Sequence, residues 1–279
     1  MHQRFTTAIA IFLFVAAGLA CSFLRPKSPL TWHILIEVDA AAPDREAKVK
    51  RTVSVIERRL EAFGLNNYQV LAQGTPPNGR ILISLPEVTE RERLAELITA
   101  GGRLELTAVV SSPNPAPVQT YSTREDAIAS LGGTVPGNRR VLPYSERDES
   151  ATAEKGSGTI EQARQWVVVE APAIVDGSEL RNAAAVQSPG SDETYQIAFS
   201  LGPEGSQKFG AWTGAHINEY IGVVLNDKVK SIAFIKSQIY DQGEISGRFT
   251  KHSAEDLALI LRTGALPAPV KIIEKGANK

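Results

Sequence analysis

The side chains that most often bind metals are widely spaced in this sequence. The four histidines are His2, His33, His216 and His252, and no two of them have a metal-binding spacing such as HExxH. His33 alternates with the apolar residues of a predicted strand, which favours a solvent-facing position because a metal site needs converging ligands. The single cysteine, Cys21, excludes an intramolecular disulfide and any multi-cysteine site. We therefore predict no metal and no cofactor.

The motifs of the common catalytic sites are also absent from the sequence. There is no G-x-S-x-G elbow, no P-loop and no G-x-G-x-x-G after a strand. The run Lys-Gly-Ser-Gly-Thr at 155–159 lacks the other parts of a phosphate loop and indicates a flexible linker. Acidic pairs such as Asp148-Glu149 and Glu255-Asp256 lie at loops or helix starts, where solvation and the helix dipole explain them. We predict that the protein is not an enzyme.

The charges of the chain are nearly balanced. The 279 residues include 30 Lys and Arg and 31 Asp and Glu, for a formal charge of −1. This balance argues against a nucleic-acid partner, which would require net or clustered positive charge. The short basic runs Arg58-Arg59 and Arg139-Arg140 are predicted to be solvent-exposed faces. With 43% hydrophobic residues, the chain has the composition of one or two globular domains.

The N-terminus has the pattern of an export signal or a membrane anchor. Arg4 precedes an apolar run at 8–20, and Cys21 follows it. Three interpretations fit this pattern: a cleaved signal peptide, a lipoprotein signal with Cys21 as the candidate lipidation site, and an uncleaved segment near the shortest length that spans a membrane. We assign 1–24 to a signal peptide or membrane anchor and expect the rest of the chain to lie outside the cytoplasm.

The first half of the chain predicts the element order βαββαβ. The expected elements are a strand at 31–39, a helix at 43–63, strands at 68–73 and 80–85, a helix at 90–100 and a strand at 103–110. Gly64 is expected in the left-handed conformation that ends the first helix. This order is the ferredoxin-like arrangement.

The second half predicts a further α+β unit after a weaker region. Residues 111–164 are polar and proline-rich and are expected to be partly mobile, with a short helix at 123–131. The later expected elements are strands at 166–169 and 194–201, short and long helices at 178–185 and 203–218, a hairpin of 220–225 with 229–239, and a helix that starts at Ser253 and ends at Gly264. The segment 266–274 is expected to return as a strand to the first unit.

Several segments, in the same order, resemble the first periplasmic domain of the SecD family, which comprises accessory subunits of the bacterial protein-export translocase. The sequence LRTGALPAPV at 261–270 resembles the LRAGALPAP motif that closes this domain in the family. Further similar segments are IERRLEAFGL at 56–65, GRILISLPEV at 79–88, GGRLEL at 101–106, IGVVLNDKVKS at 221–231 and ISGRF at 245–249. The resemblance spans 32–274, and the chain ends before the transmembrane helices that follow this domain in the family.

The resemblance implies an α+β fold with two subdomains. A ferredoxin-like base would comprise 31–110 and 265–275, and a large α+β head, 111–264, would be inserted before its last strand. The implied function is that of a membrane-tethered periplasmic module that assists protein export by binding emerging unfolded preprotein or Sec translocase components. The alternatives are a structural or interaction lipoprotein that keeps the fold without an export role and, less favoured, an uncharacterised hydrolase.

A receptor for unfolded polypeptide needs exposed strand edges or an apolar groove, because its clients offer unpaired backbone groups and scattered apolar side chains. The helix that carries Phe209 and the hairpin that follows it are the candidate wall of such a groove. Phe209 itself is expected in the core. We name Trp212, Phe234 and Ile235 as candidate client-binding residues.

Overall fold

The computed structural model describes residues 28–39, 44–74, 78–111, 117–144, 165–191 and 193–277. The predicted signal or anchor at 1–24, Cys21 and the linker at 155–159 lie outside these residues. None of the helices in the described ranges has the length and apolar composition needed to cross a membrane.

Thirteen strands and five α-helices make up the described part of the chain. In order, they are β1 (Trp32–Val38), α1 (Arg45–Ala62), β2 (Gln69–Ala72), β3 (Arg80–Leu85), α2 (Arg91–Thr99), β4 (Leu104–Val109), α3 (Arg124–Ala129), β5 (Arg139–Tyr144), β6 (Gln165–Glu170), β7 (Val175–Asp176), β8 (Leu180–Gln187), β9 (Tyr195–Leu201), α4 (Pro203–Ala215), β10 (Tyr220–Leu225), β11 (Lys228–Phe234), β12 (Gln242–Phe249), α5 (Lys251–Thr263) and β13 (Val270–Ala277).

The first unit is an antiparallel sheet in the order β13-β1-β3-β2 with α1 and α2. Alternate residues of β1 and β3 are fully buried under the helices, as the period of two along a strand requires. The α1 helix ends as expected, with Gly64 at φ 98° and the Leu65 N–H bonded to the Leu60 carbonyl at 2.9 Å. The prediction that the chain after 266 returns to this unit is confirmed, since β13 pairs with β1 from Val38↔Val270 to Trp32↔Ala277.

The prediction that 103–110 completes this sheet is wrong. The strand β4 pairs with β10, β6 and β7 instead, and β13 occupies the fourth place beside β1. The reason is burial: Leu104, Leu106 and Val109 of β4 fill the cores of the second unit.

The second unit contains a small barrel. The strands β10, β11, β5, β6 and β4 pair in sequence, and β4 pairs back to β10, which closes the ring. Six aliphatic side chains fill its interior, namely Val109, Leu142, Val167, Val169, Val224 and Val229. The tight turn between β10 and β11 has Asn226 and Asp227 at φ 49° and 60°, as a two-residue hairpin requires.

A three-stranded sheet in the order β12-β9-β8 lies beside the barrel. One face of this sheet, with α4 and α5, packs against the outward side chains of β4 and β10 and encloses the largest apolar core. The β4–β10 pair therefore contributes alternate side chains to two cores.

Several local predictions differ from the structure. The predicted helix at 178–185 is a short 3-10 turn, Gly177–Glu179, followed by β8, because β8 forms seven residue pairs with β9. The last helix begins at Lys251, and its N-cap is Thr250 rather than Ser253: the Thr250 hydroxyl accepts the Ser253 N–H at 3.2 Å. The strands β5 and β12 were not predicted, and β5 lies within the region that was expected to be partly mobile.

The prediction that the basic runs face solvent is wrong for three of their four arginines. Arg59 is fully buried, and Arg139 and Arg140 are each only 25% exposed and pair with Glu170 and Glu105. Arg58 is exposed.

The buried guanidinium of Arg59 holds the two connections between the units. Its Nη1 donates to the carbonyl oxygens of Leu97 (2.9 Å) and Ala100 (2.6 Å), at the end of α2, and its Nη2 donates to Gly264 (3.0 Å), at the end of α5. The same two connections bond directly, since the Leu266 N–H donates to the Gly101 carbonyl at 2.8 Å. Burial, with a smaller contribution from the charge of Arg58, lowers the pKa of Arg59 to about 10.

A partly buried ion pair supports the same junction. Arg93 of α2 donates from Nε and Nη2 to the Asp256 carboxylate of α5 at 2.9 and 2.6 Å, and from Nη1 to Glu90 at 2.6 Å. The bond to Asp256 is the main reason why the pKa of Arg93 is raised. Asp256, which the sequence analysis explains by solvation, thus joins the two units.

We predict that Arg59→Leu lowers the free energy of unfolding by about 3 kcal/mol, because it leaves buried carbonyl oxygens without donors. Arg58→Leu is the matched control, with an expected change within about 0.5 kcal/mol, since the Arg58 side chain is exposed. Urea titration of both variants measures the difference. Equal stabilities of the two variants would contradict the role assigned to Arg59.

Candidate functional site

The region around α4 combines a buried anchor with exposed apolar side chains. Pro203 occupies the first turn of the helix, where its fixed φ is favourable, and Phe209 is buried in the large core with 3% exposure. The expectation that Phe209 is a core residue is thus confirmed. The adjoining side of α4 carries Gly210 and Gly214, and the segment 236–241 lies against these two glycines.

Thr213 fastens the segment 236–241 to α4. Its buried hydroxyl accepts the Ile239 N–H at 2.9 Å and lies 2.8 and 3.0 Å from the carbonyl oxygens of Phe209 and Ile239, to one of which it donates. The Gln238 amide also donates to the Gly210 carbonyl at 2.9 Å. A Cβ at Gly210 or Gly214 would lie 3.4 or 3.2 Å from atoms of Tyr240 and Gln238, so the small residues permit this close packing.

Two large apolar side chains are exposed here. Tyr240 is 63% exposed and rests beside Gly210, and Ile217, in the turn that follows α4, is 45% exposed. We call Tyr240, Gly210, Gly214 and Ile217 the Tyr240 surface. Neither Tyr240 nor Ile217 stands out in the sequence by type or spacing, so the surface was not predicted. The exposure of Tyr240 depends on the bonds that hold the segment 236–241 on the outside of α4.

Trp212, a predicted client-binding residue, lies on a different side of α4. Its ring stacks on His216 with a centroid distance of 4.1 Å, and it packs at the margin of the large core, half-buried. The His216 Nδ1 lies 2.7 Å from the Trp212 carbonyl oxygen, so Nδ1 carries the hydrogen and donates it. The indole thus combines a fixed orientation with a partly accessible ring.

The other two predicted residues end β11 and follow it. Phe234 is half-buried and packs on Tyr220 of the barrel, with a centroid distance of 5.2 Å. Ile235 is fully buried in the large core, so its assignment as a client-binding residue is wrong. The reason is the bond of its N–H to the Glu219 carbonyl at 2.9 Å, which continues the hairpin and turns the side chain inward. Trp212 and Phe234 make their ring contacts with different partners and do not form one wall.

A second concave surface lies over the three-stranded sheet. It has a volume of about 440 Å³ and is lined mostly by small or polar side chains: Asn182, Ala184, Ala198, Phe199, Ser200, Gln242, Gly243 and Glu244. A Cβ at Gly243 would lie 2.4 Å from the Phe199 ring, so this strand can cross the ring only with glycine there. The surface has a single carboxylate and no cation in its lining.

Two properties of the titratable groups in the described residues bear on their reactivity, namely their arrangement for metal binding and the shifts in their pKa values. No group of three or more His, Cys, Asp or Glu side chains among them is placed to hold a metal ion. The shifted pKa values have local causes: the hydrogen bond to Glu179 raises the pKa of Lys208, that to Arg93 lowers the pKa of Glu90, and desolvation followed by the 2.9 Å bond to Glu61 raises the pKa of Tyr68 to about 12. The region around α4 offers a ligand apolar contacts and hydrogen bonds.

The chain is similar to proteins of one family over most of its length. Two family models match: "SecDF, P1 head subdomain" at 150–268 and "Protein translocase subunit SecDF, P1 domain, N-terminal" at 49–111. Relatives named "Protein translocase subunit SecD" include that of Elusimicrobium minutum, 32% identical over 93% of this chain and 55% of the relative. Those of Koribacter versatilis and Aquifex aeolicus are each 31% identical over 83% of this chain. The matched regions are 39% and 40% of these two relatives. The chain thus spans between about two fifths and just over half of these relatives.

Solved structures have the same fold. One, described as "Structure and function of a membrane component SecDF that enhances protein export", has a TM-score of 0.61 and 25% identity over 87% of this chain and 98% of that chain. A second, SecDF in the "Super-membrane-facing form", has a TM-score of 0.65 over 91% of this chain and 32% of that chain, at 24% identity. The mixed α+β architecture is therefore shared with these proteins.

We predict that Thr213→Val destabilises the protein by about 1–3 kcal/mol, because the partly buried Ile239 N–H and carbonyl lose their partner. Hydrogen exchange at the Ile239 amide should become faster than in the wild type. Thr263→Val is the control, since the buried Thr263 hydroxyl bonds only to carbonyls of its own helix, at 2.8 and 3.1 Å. Unchanged hydrogen exchange at the Ile239 amide in Thr213→Val would contradict the conclusion that Thr213 holds the segment 236–241 on α4.

Proposed function

Because the chain belongs to the SecD family and contains its first periplasmic domain, we propose that it assists protein export by binding unfolded preprotein on the periplasmic side of the membrane. The chain is tethered there through its N-terminal segment and acts beside Sec translocase components. It binds its client without a chemical reaction. In this proposal the four-stranded sheet with α1 and α2 is the ferredoxin-like base, and the second unit is the head inserted before the last base strand, β13.

The observation that carries the proposal is the Tyr240 surface on the second unit. An unfolded client presents apolar side chains in varying sequence, so its receptor needs accessible apolar groups that require no fixed partner. Tyr240 and Ile217 provide such groups at 63% and 45% exposure. The aromatic ring adds a large contact area at a low entropy cost, since a tyrosine side chain has only two rotatable angles.

The fastening of 236–241 makes this surface suitable for repeated weak binding. Bonds of 2.9 Å fix the two residues before Tyr240, since the Ile239 N–H donates to Thr213 and the Gln238 amide donates to the Gly210 carbonyl. After Tyr240, the Asp241 carbonyl accepts the Leu201 N–H at 2.7 Å. The segment is therefore ordered before a client arrives, and binding does not have to order it. A preorganised apolar surface without ionic contacts suits clients that must be released again.

We predict that the double variant Tyr240→Ala/Ile217→Ala binds an unfolded model peptide about tenfold more weakly, since two exposed apolar anchors are lost. Fluorescence anisotropy with a labelled peptide measures the affinity. The matched control is Leu71→Ala, which removes a 47% exposed apolar side chain from the edge strand β2 of the first unit. An equal loss of affinity in the control, or none in the double variant, would overturn this assignment.

Trp212 and Phe234 remain candidate client contacts, and we predict that Trp212→Ala or Phe234→Ala weakens peptide binding while the protein stays folded. Both rings are half-buried, so part of each remains accessible to a client. Ile235→Ala is the comparison: it creates a cavity in the core and should lower the melting temperature without a separate effect on binding. If loss of binding in the Trp212 and Phe234 variants only follows loss of folding, as in Ile235→Ala, these rings are core residues.

A further inference from the structure

A groove lies on the first unit, away from the Tyr240 surface and from the concave surface over the three-stranded sheet. One wall is a side of α1, with Ala47, Lys50, Arg51, Ser54, Val55 and Arg58, and the other is the segment 265–267 between α5 and β13. Its volume is about 640 Å³. We call it the α1 groove.

The rim of the α1 groove is cationic, and its charges have no carboxylate partner within the described ranges. Lys50, Arg51 and Arg58 are exposed, and within the described ranges none of them has a carboxylate within 4 Å. No acidic residue is part of the lining. On the same helix, Glu61 is instead bonded to the Tyr68 hydroxyl at 2.9 Å. The groove therefore attracts negative charge that the described part of the chain does not itself supply.

The floor of the α1 groove is apolar and fixed. Val55, Leu266 and Pro267 lie along it. The segment 265–267, which carries Leu266 and Pro267, is held in position by two hydrogen bonds. Arg59 donates to the carbonyl of Gly264 at 3.0 Å, and the Leu266 N–H donates to the carbonyl of Gly101 at 2.8 Å. Such a site is formed before any ligand binds, and it can take apolar side chains between carboxylates.

The spacing of the cations indicates the shape of the ligand. Lys50 and Arg51 lie two turns before Arg58 on α1, which separates the charges by about 10–12 Å along the helix axis. A single polypeptide segment with carboxylates at its two ends and apolar side chains between them spans this distance. A bilayer surface is flat and extended, and it would meet the rim without entering the groove.

We propose that the α1 groove binds an acidic, partly apolar segment of a partner protein. Lys50, Arg51 and Arg58 contact its carboxylates, and Val55, Leu266 and Pro267 contact its apolar side chains. This surface lies on the other unit from the Tyr240 surface and is independent of client binding there. The chain would thereby engage a client and a partner at the same time.

The test uses the full chain and a labelled short peptide that alternates leucine and glutamate. We expect Lys50→Glu/Arg51→Glu/Arg58→Glu to weaken binding of this peptide by about tenfold or more, and added salt to weaken binding to the wild type. The matched control is Arg124→Glu/Lys251→Glu/Lys271→Glu, which makes the same change in net charge at three exposed positions outside the groove. This control should bind like the wild type.

Three results would overturn the proposal. The first is an equal loss in the control variant, which would mean that only net charge matters. The second is undiminished binding of a peptide with glutamine in place of glutamate. The third is cosedimentation of the wild type with phosphatidylglycerol vesicles, but not phosphatidylcholine vesicles, in the absence of peptide binding, which would assign the cations to a membrane surface. Because Tyr240→Ala/Ile217→Ala leaves the groove intact, its binding of the acidic peptide separates failure here from failure of client binding.

Discussion

The arrangement of the two units depends on one buried cation. The chain crosses between the units twice, after α2 and after α5, and the Arg59 guanidinium bonds to carbonyl oxygens on both crossings. These carbonyls belong to helix ends, where the last four lack partners within the helix and carry partial negative charge. A buried cation is unfavourable by itself, as the lowered pKa of Arg59 indicates. The converging helix ends compensate that charge, so the arginine and the two helices require one another.

A second constraint lies in the β4–β10 pair, which serves two cores with alternate side chains. Leu106 and Val223 point into the large core beside the three-stranded sheet, whereas Val109 and Val224 point into the barrel. A shift of this pair by one residue would exchange the two sets, so its register is strongly determined. The Tyr240 surface inherits this order, because α4 and the segment 236–241 flank β10 and β11 in the chain and are packed on the same core.

Local sequence patterns predict helices, strands and turns whose signal lies within a few residues. They do not predict a structure that depends on contact with a segment far away in the chain. The helix predicted at 43–63, its end at Gly64 and the hairpin predicted for 220–225 with 229–239 carry their own signals, and the structure has all three. The alanines of β8 favour a helix, but pairing with β9 overrides that preference. Arg59 has the residue type of a surface position, and only the approach of α5, far along the chain, makes it a core residue. The same holds for the candidate site. Ile235 was chosen by its residue type, but its backbone hydrogen bond to Glu219 places its side chain in the core. The exposure of Tyr240, in contrast, depends on Thr213, which lies on another element.

The contacts at the junction between the units are polar, and this determines which relative movements of the two units they oppose. Apolar surfaces can slide with little change in buried area, but hydrogen bonds and a bidentate ion pair lose most of their energy when their geometry changes. Arg59 and the Arg93–Asp256 pair therefore fix direction as well as distance. Gly102 has φ 76°, and a Cβ there would lie 2.5 Å from Ile260 and 3.2 Å from the Arg59 Nη2, so the close approach that these bonds need requires glycine at this position. Since the α1 groove borders the same crossing, a ligand in that groove contacts the wall whose position sets the orientation of the second unit. The orientation of the second unit is thus set by the same polar contacts, those of Arg59, the Arg93–Asp256 pair and the Leu266–Gly101 bond, that hold the segment 265–267 at the end of α2.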